Sequence, residues 1–94
     1  MNAWPFADPE NVVTVTVQQI IDGAQPILLV SHSDDDGTWM FLTGNPMSMS
    51  DALLVSLYSV YQLDQSIAEL ADLPCGWEAW RKAIGDPWQR RLEE

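Results

Sequence analysis

The 94 residues carry 14 acidic and 4 basic side chains and one histidine, a net charge of −10, with 47% apolar and 19% charged residues. A chain of this length makes one domain with one modest core, and its apolar content excludes a wholly disordered polymer. The single cysteine, Cys75, and single histidine, His32, exclude an intramolecular disulfide and the common multi-Cys or two-His zinc sites, and no apolar run reaches the ~20 residues of a membrane span.

In chain order, Trp4-Pro5-Phe6-Ala7-Asp8-Pro9 contains two prolines and two large rings. This predicts an irregular N-terminal arm, residues 1–11, that packs back on a single domain spanning 12–94. The first residues lack the basic start and apolar stretch of a signal peptide, so a cytoplasmic protein is expected. Val12-Val13-Thr14-Val15 is β-branched throughout and reads as a strand. Thr16 stands three residues before Gln19, the spacing of a capping box, and predicts a short helix closed by Gly23.

Pro26 opens Ile27-Leu28-Leu29-Val30-Ser31-His32, apolar on both faces and expected to be an interior strand. Asp36-Gly37 supplies a turn, and Thr38-Trp39-Met40-Phe41-Leu42 returns. A β-hairpin near 27–32 and 38–43 is therefore the centre of the predicted fold. Leu53 to Tyr61 fits two patterns: alternation at Leu53, Val55 and Leu57, and a helical face at Leu54, Leu57, Tyr58 and Tyr61. Asp64 is expected to cap a short helix bearing Ile67, Leu70 and Ala71. Three of the five tryptophans, Trp77, Trp80 and Trp88, fall in the tail, expected to pack across the sheet. The whole reads as an α+β domain: a small antiparallel sheet, short helices and a Trp-rich C-terminal segment.

Charge is laid out unevenly. The first 80 residues contain 11 acids and no Lys or Arg; Arg81, Lys82, Arg90 and Arg91 all lie in the last 14. Carboxylates before residue 81 find intrachain cations only in that tail. So few cations argue against nucleic acid and anionic membrane as partners, because phosphate neutralisation needs many. A basic protein is the charge-complementary partner, with Asp34, Asp35 and Asp36 steering and Tyr58, Tyr61 and Trp80 as candidate anchors.

Catalytic and metal motifs are not legible. Placing Gly37 at the sixth position of an EF-hand loop puts His32 at the first and Thr43 at the twelfth, neither a suitable ligand. There is no serine elbow and no glycine-rich phosphate loop. Cys75 and His32 are the only conceivable thiol–base pair, and nothing in the sequence places them together. No metal, cofactor or enzymatic activity is expected.

Pro26 to His32 running into Asp35-Asp36-Gly37-Thr38-Trp39-Met40-Phe41-Leu42-Thr43-Gly44, then Asp64 to Pro74, Gly76-Trp77, Ala79-Trp80-Arg81 and Pro87-Trp88, resembles a family of small acidic bacterial proteins of unassigned function. The resemblance covers about residues 12–91. The hairpin portion, with the pattern Asp-x-Gly-x-Trp-x-Phe-x-x-Gly, is also similar to the domain found among polymorphic-toxin immunity proteins. It implies an α+β domain and a protein-binding role, an immunity-type inhibitor that covers a basic toxin. The alternatives are a nucleic-acid mimic occupying a DNA-binding protein, a small hydrolase built around His32, Asp36 and Cys75, and a housekeeping domain.

Overall fold

The computed structural model describes residues 4–46 and 48–93. Its strands are β1 (Val13–Val17), β2 (Leu29–His32), β3 (Trp39–Leu42), β4 (Ala52–Ser56), β5 (Trp77–Trp80) and β6 (Gln89–Leu92). They form one six-stranded sheet in the order β4-β1-β3-β2-β5-β6. Its helices are α1 (Gln18–Ile21) and α2 (Leu57–Leu63), with 3-10 turns at Met49–Asp51 and Gln65–Leu70. This is the expected α+β class.

The hairpin forms as its turn chemistry dictates. β2 and β3 are antiparallel, with Leu29 opposite Leu42 and His32 opposite Trp39. Gly37 takes φ 75° in the turn, where an L side chain would be strained. β2 lies inside the sheet, flanked by β3 and β5, as its double apolar face requires. The sheet is mixed, however, rather than wholly antiparallel. β3 also runs parallel to β1, with Val15 beside Met40. The hairpin's returning strand enters between β1 and β2, and local sequence pattern does not encode a pairing over that separation.

The ambiguity at Leu53–Tyr61 resolves into both patterns in succession. Ala52–Ser56 pairs antiparallel with β1, and Ser56 then caps α2, its hydroxyl accepting from the Ser59 N–H at 3.1 Å. Asp64 caps the next turn by accepting from Ser66 N–H at 2.9 Å. The capping box expected at Thr16 does not form. Thr16 belongs to β1, fully buried, and its hydroxyl donates across the sheet to the Phe41 carbonyl at 2.9 Å. Extended Val17 starts α1 without a side-chain cap, and the helix lasts four residues. The Trp-rich tail joins the sheet instead of lying across it, because β5 and β6 pair antiparallel at its end.

Alternation sorts the sheet into two faces. On one, Val30, Trp39, Phe41 and Ala79 are buried with Ile20 of α1, Leu57 and Val60 of α2, Ile67 and Leu70 of the second 3-10 turn, and Phe6 of the arm. Trp4 packs at a tilt against Phe6, which meets Trp39 edge-on with centroids 5.5 Å apart. Arg81 closes this layer. Its guanidinium, with 1% of the side chain exposed, donates to the Ile27 carbonyl, the Ser66 hydroxyl and the Asp64 carboxylate, and lies 4.1 Å from the Trp88 ring centroid.

On the other face, registered neighbours form the row Leu54, Val15, Met40, Ser31, Glu78 and Arg91, with Leu42, Leu29 and Trp80 in the next row. This face is not open throughout: Val17, which alternation places on it, is buried in the core cluster, and Leu42 packs against that cluster. Leu54 is 75% and Val13 55% exposed.

Adjacent positions of β2 therefore differ sharply in consequence. Val30→Asp buries an unpaired carboxylate and is expected to abolish the native near-ultraviolet circular dichroism. Leu29→Asp, one residue earlier on the open face, should leave a folded protein with a lower urea midpoint. Equal loss of structure in the two variants would show that both faces are covered.

Candidate functional site: the open sheet face and its acidic rim

The open face gives way to acid at the hairpin turn. Asp34, Asp35 and Asp36 are all exposed. Asp34 and Asp35 line a cleft together with Ser31, Ser33, Met40, Gly76 and Glu93. Met40 belongs to this cleft and to the apolar row at once, so carboxylates and apolar surface meet at one side chain. Glu93 is held over the cleft by the Ser31 hydroxyl. Asp36 turns inward to its own loop, accepting from Thr38 N–H at 3.0 Å.

The three ion pairs obey the charge layout. Arg81 pairs with Asp64 at 2.7 Å, Arg90 with Asp72 at 2.8 Å, and Arg91 with Glu78. Each joins a tail cation to an acid between residues 64 and 78. Among the described residues, none reaches Asp34, Asp35 or Asp36. The field at the turn is thus left uncompensated, and it borders the open face.

The remaining candidate anchors divide between the two faces. Trp80 lies on the open face, half-buried, with the Arg91 guanidinium 4.6 Å from its ring centroid. Tyr58 and Tyr61 lie on α2, across the sheet from it. Their rings pack on Trp4 at 6.2 and 5.4 Å, and the Tyr58 hydroxyl accepts from Gln62. Trp80 shares the face of the acidic cleft but sits at the far end of β2 from the turn, beside Leu29, and the two tyrosines lie on the other face. Val13, Val15, Met40 and Leu54 were not singled out in the sequence. Alternation marks them only once the covered face is known.

His32 and Cys75, 43 residues apart, are brought together, with Sγ to Nε2 at 3.7 Å. Asp36 does not orient this histidine; the Leu73 carbonyl takes Nδ1 at 2.7 Å. The backbone N–H groups following the thiol are engaged, Gly76 with the His32 carbonyl and Trp77 with the Pro74 carbonyl. Neither is free to stabilise an oxyanion in this arrangement. No group of three or more His, Cys, Asp and Glu side chains able to hold a metal occurs among the described residues. No helix there is long and apolar enough to cross a membrane.

No protein-family model, curated protein or solved structure matches the chain.

Two carboxylates couple the acidic surface to stability. The Thr38 backbone N–H, then the Thr38 hydroxyl, hold Asp36 below the ordinary carboxylate range. The Arg90 guanidinium does the same for Asp72, by hydrogen bond and then by charge. A lowered native pKa means that the unfolded chain takes up protons first on acidification. The contribution of these groups is therefore complete above the unfolded carboxylate pKa of about 3.9 and fades as pH falls through the native values. In urea titrations between neutral pH and pH 3, Asp36→Asn and Asp72→Asn should each reduce the acid-induced loss of stability. Curves parallel to wild type would contradict the assignment.

Proposed function

We propose that this chain is a small acidic protein-interaction domain, an immunity-type inhibitor that neutralises a basic protein by covering it. The observation that supports this reading is the junction at Met40. There an apolar row (Leu54, Val15, Met40) runs into a cleft walled by Asp34, Asp35 and Glu93. An exposed apolar surface rimmed by charge suits a partner that offers apolar contact and cations together. Asp34, Asp35 and Asp36 steer the encounter, and Trp80, Met40 and Leu54 anchor the complex. The mechanism is steric occlusion and needs no cofactor. The setting is cytoplasmic, where a toxin made beside its inhibitor must be held inactive.

The experiment takes the proteins encoded by the genes flanking this one, the basic ones first, and follows complex formation by stopped-flow and surface plasmon resonance. Association should slow as salt rises, because screening at physiological ionic strength acts over ~8 Å. Replacing Asp34, Asp35 and Asp36 together by Asn should slow association about tenfold at low salt with little change in dissociation. Leu54→Lys should chiefly speed dissociation. Failure of every neighbouring product to bind, or binding indifferent to both changes, would overturn the proposal.

A further inference from the structure

The proposed interaction surface leaves one reactive pair unused, His32 at the end of β2 with Cys75. The ring nitrogens of this histidine are assigned by its partners. A carbonyl oxygen only accepts, so the Leu73 contact at 2.7 Å requires the proton on Nδ1. In the neutral imidazole this leaves the Nε2 lone pair facing Cys75, whose S–H donates to it across 3.7 Å. The ring cannot easily swing away. Trp39 stacks on it with centroids 3.8 Å apart and planes 12° from parallel.

The thiol is fixed from the same strand. The segment following buried Leu73 bonds back through Gly76 N–H to the His32 carbonyl at 2.7 Å. His32 is thereby held by ring and backbone to both sides of Cys75. A nucleophile, a base and a third group orienting the base is the arrangement that activates a thiol. Here the third group is a carbonyl. Cys75 is also exposed, so a reagent can reach it.

We infer that Cys75 is a base-assisted thiol that undergoes exchange with small disulfides, forming a reversible mixed disulfide at the end of β2. The Cys75 sulfur attacks one sulfur of the incoming disulfide, and its proton passes to His32 Nε2. The S–S bond of the reagent breaks as the new S–S bond forms. The departing thiolate takes the proton back from His32 and leaves as a thiol, so electrons and protons balance and His32 ends neutral. The engaged N–H groups beside the thiol do not hinder this step, because disulfide exchange develops no oxyanion.

The probe is 2-hydroxyethyl disulfide, uncharged and therefore insensitive to the negative field of the chain. Mixed-disulfide formation is followed by mass spectrometry at neutral pH on the full-length protein, native and urea-unfolded. The native protein should react about tenfold faster than the unfolded chain, in which the thiol has no positioned base. His32→Gln, folded as judged by circular dichroism, should fall to about the unfolded rate. A native rate no higher than the unfolded one, or a folded His32→Gln that matches wild type, would overturn the inference. If His32→Gln fails to fold, the native-to-unfolded ratio of the wild-type protein decides alone.

Discussion

The helices and the N-terminal arm among the described residues all contribute to the core on one face of the sheet, and that one-sidedness governs the rest of the structure. A chain of 94 residues has enough large apolar side chains to complete one layer over six strands. Arg81 seals the layer, bridging the start of β2, the turn that follows α2 and Trp88 in the tail. Removing one member of a buried ion pair costs about 3–5 kcal/mol. The guanidinium is therefore held as firmly as an apolar core residue. On the opposite face Val13 and Leu54 stay in contact with solvent, while Val17 at the end of β1 is buried.

Charge placement follows from the same economy of residues. Three of the four cations are engaged within the fold, one in the closing network and two in pairs along the tail. The acids of the hairpin turn have no ion-pair partner among the described residues and border the uncovered face. An acidic edge beside an apolar face repels copies of the same chain while attracting a basic surface. Exposed carboxylates such as Glu10, Asp22 and Asp86 stand elsewhere on the molecule as well, but those of the hairpin turn stand where the apolar row ends.

The features legible in the sequence are those fixed by near neighbours. Asp36-Gly37 between two β-rich runs gives the hairpin, and Asp64 before Ser66 gives its cap. Leu53 to Tyr61 carries two overlapping periodicities because a strand and a helix share its length, with Ser56 dividing them. Features set by distant contacts stay hidden. The Thr16 hydroxyl looks like a cap until Phe41 arrives to take it. β6, Gln89-Arg90-Arg91-Leu92, is an edge strand with every residue exposed, and its charges mask its strand character. The functional candidates divide the same way. The acidic turn is visible as a run, whereas the Met40 junction and the His32–Cys75 pair depend on which strands become neighbours.

The central claim is that the uncovered face is kept for a foreign basic surface and is not the missing half of a homodimer. Sedimentation equilibrium of the purified protein tests it most directly. At micromolar concentration and about 0.1 M salt, where the Debye length is about 10 Å, the account predicts a single species at the monomer mass of 10.6 kDa. Self-association should emerge only as salt screens the −10 charge. A stable dimer at low salt that dissociates on Leu54→Lys would contradict the account, because a second copy would then supply the layer this face lacks.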